Sequence, residues 1–229
     1  MAESRRMPAI VIPMRFSAFE RRAHEIFEEV PEEFLEGIAG PVVERRARPH
    51  PHLPGIFTLG ECVPVPHSFT LGEEHLSTVF LYWGSFLEIG RRDPGFDMQA
   101  ELEETVLHEI RHHIEDRAGA PDLRNEDAAE EEEERRRTGL PFRDGHYRLA
   151  PAAGPSLWSL HGDLFLQVVL RRRELAAARE AGLPVSWRGR ILRVEADAMD
   201  SLPAFVSFPG EGEAHGRRRG DLWVVVRER

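Results

Sequence analysis

The sequence predicts an α+β fold in two parts, a helix-containing segment over residues 7–138 and a small β-rich segment over residues 139–229. Three observations predict it. Residues 98–118 form a long helix-periodic run, residues such as Thr78-Val79-Phe80-Leu81-Tyr82-Trp83 read as short strands, and Thr138-Gly139-Leu140-Pro141 marks a composition break. Beyond that break a glycine-rich, β-branched pattern suggests strands. The length of 229 residues suits one large domain or two small ones, and 41% hydrophobic content is enough to bury a core.

Taken in order, the apolar run Met7–Met14 reads as a buried strand; Pro8 and Pro13 interrupt it and Arg15 ends it, so it does not fit an export signal. Phe16, Phe19, Ala23, Ile26, Phe27 and Val30 then fall on one helical face, with charged residues mostly opposite. Pro31 starts a short helix ending at Gly37 or Gly40. Residues 41–47 read as a strand, Pro49 to Pro54 as a loop, and 56–65 as a strand with Gly60 at a turn or bulge. Asp97 is a suitable N-cap for a helix over 98–118, and Gly119 with Pro121 a suitable stop. Residues 122–137 form a second helix in which Glu131, Glu132 and Glu133 each precede an arginine by four positions. Two later segments, Gly162-Asp163-Leu164 onward and Gly220-Asp221-Leu222 onward, echo each other as turn-plus-strand units.

The chemistry is concentrated in His108-Glu109-Ile110-Arg111-His112, an H-E-x-x-H inside the long helix. Histidines four residues apart sit one turn above each other, so both imidazoles can reach one zinc ion. Glu109 follows the first histidine, where its carboxylate can hold and deprotonate a water on the metal. By composition about 0.07 such matches arise by chance, so chance is a poor explanation. Leu102, Val106, Ile110 and Ile114 supply a core-facing stripe beside the motif.

The residues Phe27-Glu28-Glu29-Val30-Pro31-Glu32-Glu33-Phe34, the strand before Gly84 and Thr105-Val106-Leu107-His108-Glu109 make residues 16–119 resemble the bacterial zincin-like, minimal metallopeptidase family. The resemblance implies a small α/β domain whose active-site helix packs on a mixed sheet. It also implies a metal held by both histidines and a later aspartate, in the pattern H-E-x-G-H-x-x-G-x-x-D. Here the pattern departs: Arg111 and Glu115 replace the glycines, and the aspartate position falls on Ala118. Gly119-Ala120-Pro121-Asp122 supplies a G-x-x-D four residues late, which makes Asp122 the expected third ligand. Glu126, in an Asn-Glu pair similar to that of thermolysin-like enzymes, is the alternative. With neither, the domain would be a zincin scaffold that has lost its metal. Asp116, about 12 Å along the axis from His108, is too far to join both histidines.

Residues from about 155 to 229 resemble, less specifically, the C-terminal β-domain of DnaJ-type co-chaperones, through Trp187-Arg188-Gly189-Arg190-Ile191 and the Gly220-Asp221-Leu222 strand. That resemblance implies a small β-sandwich able to hold extended apolar peptide, without a J-domain. The expected function is therefore zinc-dependent hydrolysis of peptide bonds in a peptide or unfolded protein; the competing expectation is a non-catalytic client-binding protein. Net charge is −10, and residues 141–229 hold 14 Arg and 11 Asp/Glu, so neither part has the basic balance of a nucleic-acid binder. Cys62, the only cysteine, rules out an intrachain disulfide and reads as a small buried hydrophobe. No apolar stretch approaches the ~18–20 residues needed to span a bilayer, and the expected location is the cytoplasm. Substrate and oligomeric state are left open.

Overall fold

The computed structural model describes residues 14–64, 77–120, 122–215 and 218–229. The strand expected over Met7–Met14 lies almost wholly outside the described residues, as does Pro121. Contacts divide the chain into two compact units, residues 1–123 and 124–229.

The first unit opens with α1 (Phe16–Glu29), which buries Phe19, Ala23 and Ile26, the apolar face read from the sequence. A single turn α2 (Glu32–Leu35) leads into β1 (Ile38–Glu44), and short strands β2 (Arg48–Pro49) and β3 (Phe57–Thr58) pair antiparallel. The strand expected over 56–65 is broken: β3 ends before Leu59, and β4 (Gly60–Pro64) resumes in a different sheet. β5 (Ser77–Tyr82) is central, parallel to β1 and antiparallel to β4, giving a mixed three-stranded sheet. Its alternate residues Ser77, Val79 and Leu81 are buried, the period-2 signature of a strand packed against helices. Trp83 opens a helix, α3 (Trp83–Arg92), instead of closing the strand.

The long helix α4 (Met98–Ala118) has the expected bounds. Asp97 caps it, its carboxylate accepting from Gln99 N and Ala100 N, and Gly119 stops it at φ 66°, a left-handed conformation that costs glycine little. Met98, Leu102, Val106 and Ile110 enter a core shared with Phe19, Ala23, Ile26, Val79, Leu81 and Phe86. Helix α5 (Asp122–Arg137) follows, and its first turn is tied to α4: Leu123 is 2% exposed and its N–H donates to Glu115 Oε2 at 2.7 Å. The boundary between the units falls one residue further on, inside this continuous helix, whose Ala129 belongs to a core cluster of the second unit.

The second unit is built on β6 (Ala152–Gly154), β7 (Leu157–Leu160) and β8 (Asp163–Leu170), then α6 (Arg172–Ala181), the hairpin β9 (Leu183–Trp187) and β10 (Arg190–Val194), β11 (Ala204–Phe208), the two-residue strands β12 (Ala214–His215) and β13 (Arg218–Arg219), and β14 (Leu222–Glu228). Its main sheet has the order β11-β14-β8-β7-β6. The two echoing Gly-Asp-Leu segments lie side by side as parallel β8 and β14, with Leu164 opposite Leu222. Asp221 N–H donates to Asp163 Oδ1 at 2.8 Å, and Leu164 N–H donates to Asp221 O at 2.9 Å. Leu164, Val224 and Val226 pack on one face with Leu175 of α6, while Phe165 and Val225 pack on the other with Tyr147 and Ala129. Burial on both faces accounts for the unbroken apolar run of β14. The strand-only expectation for this segment missed α6, whose start Glu174 marks by accepting from Arg171 N–H at 2.7 Å.

Candidate metal site

The burial pattern along α4 divides the motif. Glu109 is 7% exposed, while His108 and His112 are partly exposed. The two imidazoles meet edge-on, with ring centroids 4.8 Å apart at 83°, as residues one turn apart on a helix should. Glu109 sits over the first residue of β4: a Cβ added at Gly60 would lie 2.9 Å from Glu109 Cγ and 2.8 Å from Thr105 Cγ2. Gly60 is therefore the gap that admits the carboxylate side chain between helix and strand.

His108 and His112 each offer a ring nitrogen, a donor type suited to zinc. Asp122, the third ligand expected from the sequence, is the first residue of α5, next to the packed Leu123. Glu126, the alternative, stands with Glu130 and His161 in the second unit.

Other polar candidates have structural partners. His113, 2% exposed, donates from Nε2 to the Glu36 carbonyl at 2.8 Å, and its Nδ1 meets Ser77 Oγ at 2.5 Å. Both ring nitrogens are thus used in joining α4 to α2 and β5. Tyr82 is buried and donates to Glu61 Oε2 at 2.7 Å; burial, then that hydrogen bond, push its hydroxyl up to about 12. Tyr147 is fully buried and donates to Gln167 Oε1 at 2.7 Å. Burial also pushes the Cys62 thiol up, the opposite of what a nucleophile needs. No helix among the described residues is long and apolar enough to cross a membrane.

Comparison with known proteins covers this region. The sequence model of the zincin-like metallopeptidase family matches residues 41–131, a range that takes in α4 and ends within α5. A solved structure described as a conserved hypothetical protein from Thermo thermophilus is 40% identical over 46% of this chain and 98% of its own, with a TM-score of 0.39. No curated protein matches. The comparisons lend no support to the co-chaperone resemblance of the C-terminal segment. Residues 41–131, which carry the paired histidines and the acid between them, belong to the zincin-like metallopeptidase family.

Proposed function

We propose that the protein is a zinc-dependent peptidase in which His108 and His112 hold the ion, with a carboxylate as third ligand, and Glu109 is the general base. The observation that carries this reading is the pair of imidazoles one turn apart, with ring centroids 4.8 Å from each other, beside a buried acid on the same helix. Bound there, zinc would supply a Lewis acid that polarises the scissile carbonyl and acidifies water. Glu109 takes a proton from the attacking water and delivers it to the departing amine as the C–N bond breaks, so the carboxylate is regenerated at the end of each turnover. The partly exposed histidines leave the face open to a substrate, and extended peptide or unfolded protein is the substrate class this reading requires.

The competing reading, a binding protein on a scaffold without a third ligand, rests on the displacement of the expected aspartate, and zinc content separates the two.

Metal content and turnover test the proposal together. Protein purified without added metal is expected to carry zinc that is lost in His112→Ala. Glu109→Gln is expected to keep the zinc and lose turnover of an unfolded protein substrate. Binding no tighter than millimolar, or full activity in Glu109→Gln, would overturn it.

A further inference from the structure

A group of metal-ligating side chains other than the H-E-x-x-H motif stands in the second unit. Glu126 and Glu130 are one turn apart on α5, and His161 reaches them from the β7–β8 turn. One ligand-capable atom from each lies within 4.8 Å of the others. We infer that Glu126, Glu130 and His161 form a second site for a divalent transition-metal cation.

The turn presents the imidazole in a defined way. Leu160 pairs with Asp163, so His161 and Gly162 are the two central residues of a tight hairpin, and both have positive φ, 48° and 82°. Glycine takes this conformation freely; for histidine it is uncommon, although histidine is enriched among the side chains that tolerate it. His161 Nε2 already hydrogen-bonds to Glu130 Oε1, so an imidazole nitrogen and a carboxylate oxygen meet as they would around an ion.

The surroundings favour a cation. A cavity of about 220 Å³ is lined by Glu126, His161, Ser159 and Glu213 together with Pro151, Gly162 and Ala214. Its ionisable lining is two carboxylates and an imidazole; Glu130 and His161 also line a neighbouring cavity of about 530 Å³ with Arg219 and with Arg137, which is paired with Glu133 and Asp163. The neighbouring acids Glu131, Glu132 and Glu133 pair with Arg135, Arg143 and Arg136, whereas Glu130 turns to His161. One nitrogen and two oxygen donors suit a borderline first-row dication such as zinc, with water in the remaining positions. Ligand atoms around tetrahedral zinc stand about 3.4 Å apart, a separation that two flexible glutamates can reach by small rotamer changes. The ion would cross-link α5 to the β7–β8 turn and, His161 being exposed, would exchange with solvent.

The test is the zinc stoichiometry of the full chain, stripped with chelator, re-loaded by equilibrium dialysis and read by elemental analysis. Wild type is expected to bind two equivalents. His161→Asn, in which asparagine tolerates the positive φ, is expected to bind one, as is Glu130→Gln. The double variant His108→Ala/His112→Ala is expected to keep one equivalent, which disappears when His161→Asn is added. Wild-type loading in folded His161→Asn and Glu130→Gln overturns the inference, as does a double variant that binds none. Zinc lost on His161→Asn but untouched in the double variant supports this site and instead overturns the assignment on α4.

Discussion

Glu109 is held against Gly60, its Cγ 2.9 Å from where a β-carbon at that position would stand. The general base of the proposed reaction is thus positioned by the absence of a side chain on the neighbouring strand. Gly60→Ala forces Glu109 or Thr105 to move, at a stability cost of about 1–3 kcal/mol for overpacking. The expected result is turnover reduced by about tenfold or more, since small misplacement of a catalytic group is costly, with zinc content unchanged. Steady-state kinetics beside elemental analysis would check it, and loss of zinc without loss of turnover would contradict it.

His113 adjoins His112 but serves the fold, through the Glu36 carbonyl and Ser77. His113→Ala removes a buried ring and its bonds to the Ser77 hydroxyl and to the Glu36 carbonyl, which keeps Arg117 as a donor, and is expected to cost about 1–3 kcal/mol in urea unfolding. Zinc stoichiometry is expected to stay at the wild-type value. A variant of normal stability that has lost zinc would mean the wrong histidine has been assigned.

Glu133 gives the second unit a defined acid response. It is 5% exposed; burial pushes its carboxyl up, but hydrogen bonds from Arg136, His146 and Arg137 together outweigh burial and hold it at about 2, below its ordinary 4.5. A carboxyl depressed on folding contributes stability that is complete above about pH 4.5 and declines as the pH falls, until it is gone below about pH 2. Glu133→Gln is expected to lose about 1–3 kcal/mol at neutral pH, since it takes the anionic partner from the largely buried Arg136, while Arg137 keeps Asp163. Its stability is also expected to vary less than wild type between pH 5 and about pH 2. Urea titrations across that range would show two parallel pH profiles if the assignment is wrong.

The helical elements that carry the proposed site were legible because their information is local. The period of Phe19, Ala23 and Ile26, the cap at Asp97 and the glycine at 119 each act within a few residues, and α1 and α4 form nearly where those signals place them. Weaker local signals were misread. Trp83 has a strand-like composition yet starts α3, and the alanine-rich stretch of α6 sits within a run otherwise full of strands.

The spacing of His108, Glu109 and His112 along one helix follows from the sequence alone, since helical geometry does not depend on what surrounds it. Which side chains meet across the chain was decided by packing. Gly60 under Glu109 and His161 beside Glu130, residues 49 and 31 positions apart in the chain, meet because strands and turns carry them there.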